Sequence, residues 1–158
     1  MKTDKELIFE QYLIVNESSR QNPVVDEHGT KHYYNERGES HREDGPAHEY
    51  ANGTKMWFIN NKRHREDGPA IERADGSKVW YINDKLHRED GPAVEYANGD
   101  KYWYINGKRH REDGPAIERA DGLKEWWVND KRHREDGPAI ELADGLKEWW
   151  VNDEGYDT

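Results

Sequence analysis

The sequence contains no cysteine, so disulfide bonds and thiolate metal sites are excluded. Apolar residues are also scarce: they make up 32% of the 158 residues, whereas charged residues make up 37%. A conventional globular core needs more apolar surface, yet seven Trp and nine Tyr argue against a disordered chain. A repeat architecture accommodates both observations, because each unit has to pack only against its neighbours.

Long hydrophobic runs are missing as well. The apolar stretch near Met1 is too short for a signal peptide, and no segment approaches the length of a membrane span. These absences predict a soluble, cytoplasmic protein with no membrane partner.

The net charge of −10 is unevenly distributed along the chain. Counted as Lys+Arg minus Asp+Glu, residues 1–40 carry −3, residues 41–132 carry −1 and residues 133–158 carry −6. The nearly neutral body lacks both the basic stripe of a nucleic-acid-binding face and the continuous acidity of a DNA mimic. We therefore expect no nucleic-acid partner.

One string, His-Arg-Glu-Asp-Gly-Pro-Ala, occurs five times at intervals of 23 residues; the copies begin at His41, His64, His87, His110 and His133. All six prolines keep this spacing, so Pro23 marks an eroded sixth copy. Self-similarity at such a period indicates stacked structural units. The sequence predicts an N-terminal helix or cap over 1–17, a repeat array over 18–155 and a tail over 156–158. The predicted units are 18–40, 41–63, 64–86, 87–109, 110–132 and 133–155.

Each unit carries two turn signals. The first is Asn-Gly or Asp-Gly, as at Asn98-Gly99, and the second is Asn followed by Asn, Asp or Gly, as at Asn106-Gly107. Both tolerate the positive φ angles of a type I′ turn, and β-prone segments lie between them. We predict an all-β fold: an elongated, single-layer meander of antiparallel β-hairpins with two strands per unit, preceded by a short helix.

The helix is predicted for residues 4–15. Thr3 with Glu6 forms a capping box, and an apolar face contains Leu7 and Tyr12. Two roles for this helix remain open: a cap on the array or a docking element for a partner.

Turns of two residues fix the predicted register. Around Asn98-Gly99, Val94 then faces Trp103. Around Asn106-Gly107, Trp103 faces His110 and Tyr104 faces Arg109. The same rule predicts three ion pairs, Lys78–Glu89, Lys101–Glu112 and Lys124–Glu135. It also predicts a repulsion within each of the last two units, Glu118 facing Glu125 and Glu141 facing Glu148. Arg134 is expected on the other side of Glu125 and would relieve the first, whereas the second is unexplained. In the eroded copy, a three-residue loop ending at Gly38 lets Tyr33 face His41.

Two side-chain rows follow from this register. The first combines large aliphatics with the first aromatic of each unit: Trp57, Trp80, Trp103, Trp126, Trp149, Ile71, Val94 and Ile117. The second combines the next aromatic with small residues: Phe58, Tyr81, Tyr104, Trp127, Trp150, Ala47, Ala70, Ala93, Ala116 and Ala139. We expect the first row to be buried, because it holds the larger aliphatics.

The segments 97–102 and 106–110 resemble the MORN repeat, which is also 23 residues long, and the resemblance covers residues 18–155. MORN arrays are rows of β-hairpins that mostly serve in protein–protein association, with lipid contact proposed for some. The resemblance implies the fold but not lipid binding, because the Tyr-x-Gly and His-Gly-x-Gly of MORN units are replaced here. The seven-residue signature also looks like repeats of uncharacterised phage, giant-virus and bacterial proteins, and the opening 6–12 is similar to openings of phage proteins.

No catalytic, cofactor or metal site is predicted. Successive histidines lie about 10 Å apart, too far to share one ion, and the Asp-Gly-Pro triplet is explained as a turn rather than a Ca²⁺ site. An active site is a singular constellation, whereas every motif here recurs five times. We therefore expect a protein that is not an enzyme.

The leading hypothesis is a repeat scaffold for protein–protein interaction, which the phage resemblance extends to a phage protein that inhibits a host defence protein in the host cytoplasm. The alternative is a glycan-binding or virion accessory protein that uses the aromatic row. Trp149 and Trp150 are expected to lack a following strand, which predicts self-association through the C-terminal end. Rows of Tyr, Trp and Arg are typical of binding hot spots. The candidate partner-binding residues are Phe58, Tyr81, Tyr104, Trp127, Trp149, Trp150, Arg109, Arg132, Leu7 and Tyr12.

Overall fold

The computed structural model describes residues 22–156. The predicted helix over 4–15, with Leu7 and Tyr12, lies outside this range. Within residues 22–156 every regular element is a β-strand, and no helix has the length and hydrophobicity that a membrane crossing requires. The all-β class is confirmed.

The strands are short, and all pair antiparallel. The first eleven are β1 (Val24–Val25), β2 (Lys31–His32), β3 (His48–Glu49), β4 (Lys55–Met56), β5 (Phe58–Ile59), β6 (Lys62–Arg63), β7 (Ile71–Glu72), β8 (Lys78–Val79), β9 (Tyr81–Ile82), β10 (Lys85–Leu86) and β11 (Val94–Glu95). The remaining ten are β12 (Lys101–Tyr102), β13 (Tyr104–Ile105), β14 (Lys108–Arg109), β15 (Ile117–Glu118), β16 (Lys124–Glu125), β17 (Trp127–Val128), β18 (Lys131–Arg132), β19 (Ile140–Glu141), β20 (Lys147–Val151) and β21 (Glu154–Tyr156).

The strands form two ladders instead of one. Thirteen of them make a main sheet in the order β1-β2-β3-β4-β7-β8-β11-β12-β15-β16-β19-β20-β21, with one hairpin from each unit. The second hairpins, β5-β6, β9-β10, β13-β14 and β17-β18, stand outside this sheet. The predicted array of antiparallel hairpins in a repeating meander is confirmed, but its single continuous layer is corrected.

The chain passes between the two ladders at the first tryptophan of each unit. The N–H of Trp80 donates to the carbonyl of Ala93 at 2.8 Å, and its carbonyl accepts from the N–H of His87 at 3.2 Å. Successive second hairpins are joined in the same way, by Arg88 N–H to Tyr104 O at 3.1 Å and Gly107 N–H to Leu86 O at 2.8 Å. Trp80 thus bonds to the main sheet through its N–H and to the second hairpin through its carbonyl, and the chain turns there.

The first turn of each unit contains three loop residues, not two. At Asn98-Gly99, Tyr96 N–H donates to Asp100 O at 2.9 Å, and only Gly99 has a positive φ, 97°. The side chain of Asn98 accepts the N–H of Asp100 at 3.1 Å, an Asx turn that favours this longer loop. Val94 therefore faces Tyr102, and the predicted pairing with Trp103 is wrong by one residue.

The second turn has the predicted type I′ geometry. Asn83 and Asp84 adopt φ angles of 50° and 64°, and the carboxylate of Asp84 accepts the backbone N–H of Arg63 at 3.1 Å. The predicted pairing of Tyr104 with Arg109 is confirmed. The weaker-looking of the two turn signals is thus the one whose register was predicted correctly.

The eroded copy also follows its prediction. Its loop ends at Gly38 with φ 75°, and Asn35 N–H donates to Glu39 O at 2.9 Å, which closes three loop residues. The N–H of His41 donates to Tyr33 O at 3.0 Å, so Tyr33 stands where the other units have tryptophan.

The corrected register produces an alternating ladder of charges on one face of the main sheet. Neighbouring positions across the sheet read Lys31, Glu49, Lys55, Glu72, Lys78, Glu95, Lys101, Glu118, Lys124, Glu141 and Lys147. The predicted pairs with Glu89, Glu112 and Glu135 do not form, and Glu118 and Glu141 face lysines instead of glutamates. The predicted repulsion therefore does not exist. Each opposite-charge pair contributes roughly 0.2–1 kcal/mol.

The opposite face of the sheet supplies the core. Ile71, Val79 and Val94 are buried, and the hairpin rings of Tyr81 and Tyr104 pack against them. The expectation that only the first row is buried is wrong, because second-row members are also buried: Ala47, Ala70, Ala93, Ala116, Ala139 and Trp127. Since the chain turns at each first tryptophan, both rows contribute to one core between the two ladders.

The inner row of the sheet changes composition towards the C-terminus. Glu125 and Glu148 occupy the positions held by Met56, Val79 and Tyr102 in earlier units. Glu125 accepts the indole N–H of Trp127 at 2.8 Å, and Glu148 accepts that of Trp150 at 3.0 Å. Where the hairpin aromatic is Phe or Tyr there is no indole donor, and the residue two positions earlier is uncharged. Each glutamate is thus the acceptor that its tryptophan requires.

This pairing predicts a strong coupling between the two positions. Glu125→Val alone leaves the indole N–H without an acceptor and should destabilise the protein by about 1–3 kcal/mol. Trp127→Tyr alone should also destabilise, whereas the double variant reproduces the Val79 and Tyr81 pair and should recover about 1 kcal/mol or more relative to the sum. Urea unfolding of the four proteins measures this cycle. Strictly additive losses would contradict the coupling.

Candidate functional site

Each copy of the repeated motif forms an arginine clamp. The guanidinium carbon of Arg88 lies 4.1 Å from the ring centroid of Trp80. Its Nε donates to Asp90 at 2.8 Å, and its Nη1 donates to the carbonyl of Pro92 at 3.2 Å and to Glu95 at 2.8 Å. The bond from Arg88 lowers the pKa of the Asp90 carboxyl. The same clamp recurs with Arg42 on Tyr33, Arg65 on Trp57, Arg111 on Trp103 and Arg134 on Trp126.

The clamp explains most residues of the motif. A Cβ on Gly91 would lie 2.9 Å from the guanidinium carbon of Arg88, so glycine is required there for space. Ala93 is fully buried. His87 Nδ1 accepts the N–H of Asn106, in the second turn of the same unit, at 3.1 Å. The predicted backbone pairing of tryptophan with histidine is confirmed, but the group on the tryptophan ring is the arginine and not the histidine.

The clamp should dominate the stability of each unit. Arg88→Ala removes three charge-assisted hydrogen bonds and a cation–π contact from a largely covered side chain, so we expect a loss of about 2–4 kcal/mol. Arg73→Ala, at an exposed turn, should cost no more than about 0.5 kcal/mol. Equilibrium denaturation compares the two, and equal losses would contradict a structural role specific to Arg88.

The predicted aromatic row lies on the second hairpins, with its rings turned towards the core. Only 6% of Trp127 is exposed. The guanidinium of Arg109 lies 3.6 Å from the Trp127 ring centroid, and that of Arg132 lies 5.2 Å from Trp127 and 5.1 Å from Trp150. Arg109 pairs with Tyr104 in the ladder, as predicted, but it stacks on the ring of the following unit. Phe58 and Tyr81 occupy equivalent positions and are partly buried.

The last two tryptophans have a following strand, contrary to expectation. Strand β21 pairs Trp149 with Tyr156 and Trp150 with Gly155. It supplies tyrosine and glycine where earlier units have histidine and arginine. A Cβ on Gly155 would lie 3.2 Å from the Trp150 ring, so the glycine makes room for this indole.

The first turns carry an exposed row that sequence reasoning missed. The turn-edge row consists of the residue that follows the glutamate shared by the main-sheet hairpins of the five complete units, namely Tyr50, Arg73, Tyr96, Arg119 and Leu142. Tyr50 and Tyr96 are 39% and 40% exposed. The available signal was variation, because this position changes between units while the Glu before it stays the same.

A second feature occurs only once. His32 Nδ1 lies 2.6 Å from His48 Nδ1, His32 Nε2 lies 3.1 Å from Asp26, and His48 Nε2 lies 2.9 Å from the Ser40 hydroxyl. One tautomer set satisfies all three contacts: Ser40 donates to His48, His48 donates to His32, and His32 donates to Asp26. The signal in the sequence was His at position 48, where the other units have Ile or Val, and a second His at position 32, where they have Met, Val, Tyr or Glu.

The pKa shifts of Asp26 and His48 follow from the contacts of this hydrogen-bonded series. The bond from His32 and the backbone N–H of Thr30 lower the pKa of Asp26 to about 2. Burial and the neighbouring His32 lower the pKa of His48. The arrangement can orient the Ser40 hydroxyl, but the Ser40 N–H already donates to Asn61 at 2.7 Å and is not free to bind an oxyanion.

These shifts predict acid sensitivity at the N-terminal end of the array. Because the pKa of His48 is lowered in the folded protein, the unfolded chain takes up the proton first, and stability falls as the pH drops below about 6.5. The contribution of Asp26 is lost between about pH 4 and pH 2. His32→Val with His48→Val, which reproduces the equivalent pair of Val79 and Val94, should flatten the fall between pH 7.5 and pH 5.

Thermal unfolding as a function of pH measures this effect, with His28→Gln at an exposed turn as the control. An unchanged pH profile in the double variant would contradict the assignment.

The comparisons with known proteins do not name a family. No protein-family model matches the chain, and no curated protein matches it. Within residues 22–156, no three His, Asp or Glu side chains are grouped so that they could hold a metal ion.

Proposed function

We propose that the chain is a non-catalytic repeat scaffold that mediates protein–protein association. The observation that carries this proposal is the turn-edge row, which displays Tyr, Arg, Tyr, Arg and Leu in successive units. Tyrosine and arginine are the residues that binding hot spots favour. Here they are exposed along one edge of an array whose units are joined by clamps and by backbone bonds.

The use of the charged residues supports a role without catalysis. Arg88 donates hydrogen bonds to both Asp90 and Glu95, and the same contacts recur in every copy of the motif. The series of hydrogen bonds from Asp26 through His32 and His48 occurs only once and ends at the Ser40 hydroxyl. The backbone N–H of Ser40 already donates to Asn61. Neither arrangement combines an activated group with a free oxyanion donor.

The more specific parts of the proposal rest on resemblance. We propose a MORN-like repeat, supported by the 23-residue period and the row of hairpins. We further propose a phage protein that acts in the host cytoplasm and inhibits a host defence protein. Its support is the likeness of the motif and of the opening 6–12 to phage sequences.

The competing hypothesis is glycan binding, or a virion accessory role, through the aromatic row. Sugar stacking needs an open ring face, whereas Trp127 is 6% exposed and lies against Arg109. This burial favours a protein partner over a glycan. We retain self-association through the C-terminal end as a proposal, supported by the exposure of Leu146 and Tyr156. Light scattering tests it, because a strictly monomeric protein at high concentration would exclude it.

The turn-edge row predicts where a protein partner binds. Immobilised wild-type chain should capture a stoichiometric protein from a host lysate, and Tyr50→Ser with Tyr96→Ser should weaken binding of the purified partner by about thirtyfold or more. The matched control is Val24→Ser with Val25→Ser, which removes similarly exposed apolar side chains elsewhere and should change affinity by less than about threefold.

Biolayer interferometry with the purified partner measures both variants. Retention of full affinity by the tyrosine variant would refute the proposed edge. Glycan-array binding that is lost in Trp150→Ala, without any captured protein, would favour the competing hypothesis.

A further inference from the structure

One residue of the motif forms none of the contacts of the arginine clamp. The glutamate after each clamp arginine is identical in five copies, and its side chain is 82–86% exposed: Glu43, Glu66, Glu89, Glu112 and Glu135. The basic group recorded beside it is the imidazole of its own motif's histidine, at 3.6–3.8 Å. Among residues 22–156, no Lys or Arg nitrogen forms an ion pair with any of these five carboxylates.

Duplication of the repeat does not by itself explain why the glutamate at this position is identical in five copies. Other exposed positions have diverged between units, as the turn-edge row shows. A position that stays glutamate without a Lys or Arg partner, and with most of its side chain exposed, therefore points to a role in binding.

The local charges leave this carboxylate unneutralised. In one unit, Arg88 bonds to Asp90 and Glu95, and Glu95 also faces Lys78 and Lys101 across the sheet. Glu89 has no such partner. The loop edge of the array therefore presents about one free negative charge per unit, at the opposite end of the main-sheet strands from the turn-edge row.

A groove lies between two successive motif loops, and the exposed glutamates Glu89 and Glu112 line it. It encloses about 860 Å³ between the loops at 88–92 and 110–113. Trp103, Ile105 and His110 line it together with Glu89 and Glu112. Apolar side chains beside carboxylates suit a cation on an aliphatic stem, because the stem packs while the charge is paired.

We propose that the groove between the loops at 88–92 and 110–113, together with the equivalent positions of the other units, binds an extended basic segment of a protein partner, with one lysine or arginine per unit paired with the exposed glutamate. The inference deepens the proposed function and rests on its claim of a protein partner. Each unit advances two strands, or about 10 Å. A polyproline II segment rises about 9 Å per three-residue turn, so a cation at every third residue matches the row.

Synthetic peptides test the spacing. Five tandem copies of Lys-Pro-Gln, labelled for fluorescence anisotropy, should bind the full chain at low ionic strength, and binding should weaken as salt is added. A control peptide of the same composition, with its five lysines in one block, should bind more weakly. Equal affinity for the two peptides, or no binding of the spaced peptide, would overturn the proposal.

Two triple variants with the same change in net charge test the site. Glu66→Gln, Glu89→Gln and Glu112→Gln should lower affinity for the spaced peptide about tenfold or more. The matched control, Glu27→Gln, Glu36→Gln and Glu154→Gln, alters exposed carboxylates outside the row and should change affinity less than about threefold. Since all six side chains are exposed, folding should be unaffected, which thermal unfolding checks. Equal losses in the two variants would overturn the proposal.

The outcomes separate this inference from the proposed function. If the motif variant keeps full affinity for the peptide and for a partner captured through the turn-edge row, the acidic groove is refuted and the scaffold stands. If the peptide binds through the three glutamates but no protein is captured through the turn edge, the groove is supported and the turn-edge proposal fails.

Discussion

The structure depends on the contact between one guanidinium and the residues that surround it. Arg88 covers the tryptophan at which the chain leaves the main sheet, bonds the loop through Asp90 and the Pro92 carbonyl, and reaches Glu95 on the next main-sheet strand. It therefore joins one unit to the next and both to the sheet. A guanidinium suits this position because its planar fork donates several bonds at once while its face stacks on a ring.

This contact accounts for a fold that is poor in apolar residues. Between the two ladders the core contains little beyond small alanines, a few aliphatics and the hairpin rings. Charged groups supply the remaining order, through the clamp and through the alternating lysines and glutamates, which share the glutamate that each clamp arginine bonds. Since each unit bonds mainly to its neighbours, the same small set of contacts can be repeated without a larger core.

The cross-strand pairings that depend only on the length of one turn were predicted correctly, whereas those that depend on a neighbouring side chain were not. The pairings of Tyr104 with Arg109 and of Tyr33 with His41 required only the loop length. The first turn was read one residue too short, because the Asn98 side chain captures a backbone N–H and lengthens the loop. That single residue removed the supposed clash at Glu118. The aromatic row was expected to be available for partners, whereas the rings of Tyr104 and Trp127 pack into the core.

The amino-acid sequence by itself determined the period, the positions of the turns and the all-β class, because these depend on local preferences of glycine, proline and asparagine. Only the tertiary structure decided which face each side chain occupies, since a shift of one residue moves a strand's whole set to the other face. It also decided which cation covers which ring, and hence which exposed residues remain for binding. Those contacts join adjacent units, and no pairing rule within a single hairpin specifies them.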